Sequence, residues 1–219
     1  MPCGAQALRR LPMGYSEGMD DRDVARVLEF WFGELDELGR ADEEHASRWY
    51  TKDPEFDARL RAAFEPLHAE VLRGERDGWL ATPRSRLAYI VVLDQFSRNM
   101  YRESPRSFEG DEKALAACRS GIETGMDRPL AFDERWFFYM PLQHSEDPAV
   151  QDFSVETFRR LRDEAPPELR ERAQVALDFA IRHRDIIVRF GRYPHRNAVL
   201  GRESTPEEIE FLKQPNSSF

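Results

Sequence analysis

Arg192, His195, Arg196 and Asn197 are packed into one short stretch directly behind an apolar-striped segment that ends at Phe190. Guanidinium groups at that density can clamp a carboxylate or phosphate through paired N–H donors. An Asn amide beside them can orient the same anion, and a His adds a group that titrates near neutral pH. Two other stretches carry the same kind of chemistry. Residues 93–99 hold Asp94, Gln95, Arg98 and Asn99, and residues 140–147 hold His144, Glu146 and Asp147.

Each stretch also has a plainer explanation. Asp94 with Arg98, and Gln95 with Asn99, stand four residues apart and so can meet on one helical face. They suit a pocket in which Arg98 faces an anion, but suit better a buried ion pair joining helices, because polar groups near a core need partners. His144 with Glu146 or Asp147 has the makings of a general base and its orienting carboxylate. Asp147 precedes Pro148 and already serves as a helix N-cap, and Glu146 favours the helix dipole. His183 falls on the inward stripe of Ala176, Ala180 and Ile187, where a lone His is more often a core residue than a ligand. Cations after a helix C-terminus are favoured by its dipole, which by itself would account for the loop arginines.

No metal site is indicated. No two His stand at ligand spacing on one helix, and Glu65-Pro66-Leu67-His68 matches a di-iron Glu-x-x-His only superficially, since Pro66 disturbs the geometry and no second copy exists. The sequence names no cofactor. Gly-rich phosphate loops, nucleophile elbows, paired Cys-x-x-Cys and His-Glu-x-x-His are absent.

Something must position these residues, and the composition says it is helical. The chain has 219 residues, 33% charged and 41% hydrophobic, with a net charge of −9. That charge disfavours a general nucleic-acid binder. The longest apolar run, Leu87 to Leu93, is far short of the roughly 20 residues of a membrane span. Cys3 and Cys118 form no disulfide framework, so the chain reads as cytoplasmic. Cys118, beside Ala114 and Leu115, reads as core.

Residues 1–20 lack periodicity and are expected to be a flexible extension, with Met13 or Met19 as alternative starts. A single domain is expected over residues 21–219. The first helix begins with Asp21 or Asp23 as N-cap, buries Val24, Val27, Leu28, Trp31 and Phe32, and ends at Gly33. A second covers 43–50. A third starts after Asp53-Pro54 and should be kinked or split at Pro66. Thr82-Pro83, Ser104-Pro105, Asp147-Pro148 and Thr205-Pro206 repeat one start signal, a capping side chain followed by Pro in the first turn. Thr205 with Glu208 adds a capping box. The segment after Pro83 is apolar all round and should be central. Asp133 should cap an aromatic helix, and Pro166-Pro167 should open a long one that Gly191 closes. No stretch alternates with period two, so the fold class is all-α, built from antiparallel helix pairs.

With the motifs Val27–Gly33, Leu93–Arg102, Met140–Asp147, Phe190–Asn197 and Thr205–Glu208 in hand, the chain resembles the bacterial domain-of-unknown-function family 924. The family more often has Pro at the position of Ser97 and Phe at that of Tyr193. The resemblance implies a tetratricopeptide-like helical array and no established reaction, although this chain lacks the tetratricopeptide signature itself. It also suggests that the three polar stretches converge.

Three functions compete on this reading. The first is binding of a small anionic ligand or acidic peptide end by Arg98, Arg192 and Arg196, with Asn99 and Asn197 orienting it. The second is a hydrolase using His144 or His183 with Glu146 or Asp147 and the arginines. The third is an interaction scaffold whose polar motifs are structural.

Overall fold

In the computed structural model, residues 17–215 and 217 are described, and every described element is helical apart from one isolated bridge between Leu35 and Ala41. The helices are α1 Glu17–Phe32, α2 Glu43–Arg48, α3 Pro54–Arg73, α4 Pro83–Ile90, α5 Ser97–Met100, α6 Asp111–Glu123, α7 Phe132–His144, α8 Pro148–Glu164, α9 Arg170–Phe190 and α10 Pro206–Phe211. None of them is long and apolar enough to cross a membrane. Cys3 and Met13 lie outside the described residues.

The start signals act as local chemistry requires. The side chains of Asp53, Thr82 and Asp147 accept backbone N–H groups of the first turns of α3, α4 and α8. Thr205 and Glu208 form the expected reciprocal box. Ser104 caps a short 3-10 turn, Pro105–Phe108, which precedes α6.

Other boundaries differ from expectation. The first helix reaches back to Glu17, ahead of the Asp caps expected for it. Pro66 does not split α3, which runs unbroken from Pro54 to Arg73. Pro66 and Ala62, whose carbonyl loses its partner four residues on, are both exposed, so water can solvate the freed group.

One large cluster makes the main core, and a smaller one of Ile186, Ile187 and Tyr193 lies at the end of α9. Phe56, Leu60, Phe64, Leu67 and Val71 of α3 share the core with Val27, Trp31 and Phe32 of α1, and Trp31 and Phe32 in turn meet Phe137 of α7. Through the middle runs one helical rod made of α4, a π-helical segment Val91–Phe96 and α5. Residues 86–97 of that rod are buried without exception. A wider π turn inside a helix is frequently found at functional sites, because it re-aims side chains that an α-helix would place elsewhere. Here it carries Asp94 and Gln95.

Asp133 does not cap α7; Ala131 holds that position. Asp133 is instead fully buried and accepts both prongs of Arg172 at 2.9 Å, as well as the Ala41 N–H at 2.8 Å. It thereby docks the 33–42 loop on the start of α7. Gly39 sits in the same contact, with φ +77° and its carbonyl accepting the Asp133 N–H at 3.0 Å. A Cβ on Gly39 would lie 2.7 Å from the Phe132 nitrogen. Gly39→Ala should therefore cost on the order of 2 kcal/mol in chemical denaturation, from strain and overpacking together. An unchanged midpoint would show that the loop docks more loosely than this contact implies.

Candidate functional site

Asp94 is fully buried on the central rod, and three side chains close on it. His144 at the last turn of α7 places Nδ1 2.6 Å from Asp94 Oδ1. Arg98, one turn on, lies 3.1 Å from the same oxygen. Gln95 Nε2 donates to Oδ2 at 2.6 Å. Burial pushes the Asp94 carboxyl up, but the charges of Arg98 and then His144 outweigh it and hold it at about 2.

Arg98 is equally committed. It donates to both carboxylate oxygens of Asp111, at 2.8 and 2.9 Å, and to the Asp94 carbonyl at 2.9 Å. Burial would lower its pKa, yet Asp94 and Asp111 more than compensate and raise it. Asp111 occupies the first turn of α6, where the helix dipole also favours an anion. Asp111 was not among the sequence candidates. An acid at a helix start is so common that nothing sets it apart from the linear sequence.

Arg196 reaches the same place from the loop after α9. Its guanidinium is 3.8 Å from Asp111 Oδ2, and its Cζ lies 4.5 Å from the Tyr193 ring centroid and 4.8 Å from that of Phe108. Arg98 shares the Phe108 ring at 5.6 Å. The Arg196 side chain is only 8% exposed and, among the described residues, forms no hydrogen bond. Burial and the like charge of Arg98 push its pKa down to about 10, so it is still charged at neutral pH.

Three histidines complete the cluster. The His144 and His183 rings are 6.3 Å apart, His183 is 5.8 Å from Tyr193, and Tyr193 is 5.5 Å from His195. His183 is buried on the inward face of α9, with Nδ1 2.8 Å from the Phe179 carbonyl. Burial lowers all three imidazoles, His183 to about 3 and His195 to about 4. Tyr193 is held by its hydroxyl, which donates to the Gln143 carbonyl and accepts from Gln151 Nε2 at 2.9 Å.

The remaining sequence candidates part company with this cluster. Arg192 forms a bidentate pair with Glu208 of α10 at 2.7 and 2.8 Å, and Asn197 donates to Ser204 and Glu208. Both tie the loop to α10. Glu146 binds Arg202 through both oxygens and accepts the Tyr193 N–H at 2.8 Å, while Asp147 caps α8. Neither orients His144, which takes Asp94 instead. Asn99 donates to the Gln95 carbonyl at 2.9 Å and accepts from Arg102. The convergence expected of Arg98, His144 and Arg196 is thus present, built on Asp94 and Asp111. Two clefts of about 550 and 660 Å³ lie elsewhere, and neither is lined by a residue of this cluster.

Among curated proteins nothing matches this chain. A solved structure of a protein of unknown function from Agrobacterium tumefaciens is similar to it, with 34% identity and a TM-score of 0.75, covering 88% of this chain and 98% of that one. The family described as bacterial proteins of unknown function, DUF924, matches residues 27–216, which takes in every group of the cluster. The chain belongs to the DUF924 family.

Proposed function

We propose that the cluster around Arg196 binds a small anion, a carboxylate or phosphate borne by a metabolite or an acidic peptide end. The observation that carries this reading is the state of Arg196. A buried guanidinium held by a 3.8 Å ion pair with Asp111 and two ring faces, with Nε unpartnered, regains only part of its lost solvation, and an anion's oxygens are the groups that would restore the rest. Arg98 differs, because Asp94 and Asp111 already satisfy it. Its role in this reading is to fix the wall of the site and to repel a second cation. Arg98 and Asp111, about a fifth exposed, form the side that solvent reaches.

Calorimetric titration of a panel of phosphorylated and carboxylated compounds tests the proposal. At least one should bind the wild type, bind Arg196→Gln at least about tenfold more weakly, and bind Arg192→Gln normally. An anion placed beside His144, His183 and His195 raises their lowered pKa values. Binding should then take up protons and strengthen as the pH falls from neutral towards 6. Equal binding to wild type and Arg196→Gln would remove the proposal.

The Asp94–His144 contact supports a second, narrower reading in which the bound compound is also turned over. A carboxylate that fixes Nδ1 leaves Nε2 to act as a general base on a water molecule. His144→Gln would then retain ligand and lose turnover. We further take the protein to work in the cytoplasm, as an array of antiparallel helix pairs of tetratricopeptide-like type. The α8–α9 hairpin, joined only by residues 165–169, is the pair that best supports this.

A further inference from the structure

Away from the arginine–histidine cluster, the cleft of about 550 Å³ between α2, the start of α7 and the first half of α9 has an aromatic lining: Trp49, Tyr50, Trp136 and Phe179. Its size falls within the range of small-ligand sites, roughly 300–1,000 Å³. Two of the rings already accept a cation on a face. Arg172 lies 5.6 Å from the Trp136 centroid, and Arg182 lies 5.6 Å from that of Phe179. Tyr50, 61% exposed, lies nearly parallel to Phe179 at an interplanar angle of 4°.

The charges on the rim decide what such a cleft would hold. Its two arginines are neutralised nearby, Arg40 by Asp36 at 2.7 Å and Arg172 by Asp133 at 2.9 Å. Its two carboxylates, Glu168 and Glu171, have no ion pair among the described residues. Arg182 on the Phe179 ring offsets one of these two carboxylates, so the balance around the cleft is negative by one charge, and it sits beside electron-rich ring faces. That combination attracts an organic cation with an apolar surface and repels the anions expected at Arg196.

We propose that this cleft binds an alkylated ammonium group, with the rings of Trp49, Tyr50, Trp136 and Phe179 contacting its methyl groups and Glu168 and Glu171 supplying the counter-charge. The site is separate from the one at Arg196 and neither depends on the other. Choline is a suitable probe, and 3,3-dimethylbutan-1-ol, of the same shape without the charge, is its control. Both are titrated into the full-length protein by calorimetry, with tryptophan fluorescence as a second readout.

Choline should bind saturably, and the neutral compound about tenfold more weakly. The double variant Glu168→Gln/Glu171→Gln should weaken choline severalfold without changing the neutral compound. Tyr50→Ala should weaken choline too, and its exposure means the fold can tolerate the loss. Near-UV circular dichroism confirms that each variant is folded. Equal affinity for the two compounds, an unchanged choline affinity in the double variant, or no saturable binding in the millimolar range would each overturn the assignment.

Discussion

Asp94→Ala should lower the free energy of unfolding by about 3 kcal/mol, measured by urea denaturation at pH 7. Removing one partner of a buried ion pair typically costs about 3–5 kcal/mol, because the remaining charge stays desolvated. The lower end applies here for a specific reason. Arg98 keeps its bidentate contact with Asp111, so the groups stranded by the substitution are His144 and Gln95. Asp94→Asn retains the volume and one acceptor oxygen and should cost less. A loss under about 1 kcal/mol for Asp94→Ala would show that the hub carries little of the stability its burial implies.

Acid should destabilise the protein well before its carboxylates protonate, and His183 should account for a large share. Burial lowers the His183 imidazole from an ordinary value near 6.5 to about 3. A group whose folded-state pKa is depressed contributes stability that is fully present above its unfolded pKa. That contribution is lost as the pH falls from there towards the folded value. Between pH 6.5 and 4, His183 alone should therefore forfeit about 3 kcal/mol. His195 and His68, both lowered to about 4 chiefly by burial, add losses of the same sign. Asp94 contributes little in this window, since its contribution is lost as the pH falls below the ordinary carboxyl value of 3.8 towards about 2. His183→Asn should be less stable at pH 7 yet lose clearly less than the wild type between pH 7 and 4. Identical losses in the two proteins would mean that His183 titrates normally and is hydrated.

The helix starts were legible from sequence because their chemistry is local. A Thr, Ser or Asp followed by Pro satisfies a first-turn N–H within three residues, whatever surrounds it. The buried rod was legible from its unbroken apolar run. Its π segment was not, because a segment apolar on every side carries no periodic phase from which a wider turn could be read. Asp133 shows the limit from the other side. A capping-type residue before an aromatic run looks like a cap, but its partners, Arg172 and the 33–42 loop, are distant in sequence.

The same limit sorts the site candidates. Arg192 and Arg196 are four positions apart in one loop and of one residue type, yet one pairs with Glu208 and the other reaches Asp111. Arg196 ends the 3-10 turn Pro194–Arg196 and Arg192 precedes it, and adjacency in the chain says nothing about which partner each meets. Glu146 was read as an orienter for His144 because it is two residues away; Arg202 takes it instead. Asp94, which lies 50 positions from His144, is the residue that meets the imidazole. The groups that bring the cluster together, Asp94 and Asp111, act across elements, and only the packing of α5, α6, α7 and α9 reveals them.

Under the proposed function, the Arg196 guanidinium is the group that an added anion would meet. The most direct test is ¹⁵N-detected NMR of the arginine side chains during titration with inorganic phosphate and with a short-chain carboxylate. The Arg196 signal is assigned as the one missing from Arg196→Gln. This resonance should shift saturably with at least one of the anions, while those of Arg192 and Arg202, already held by Glu208 and Glu146, stay in place. An Arg196 resonance that does not move, or that moves only in step with every other arginine as salt is added, would contradict the proposed function.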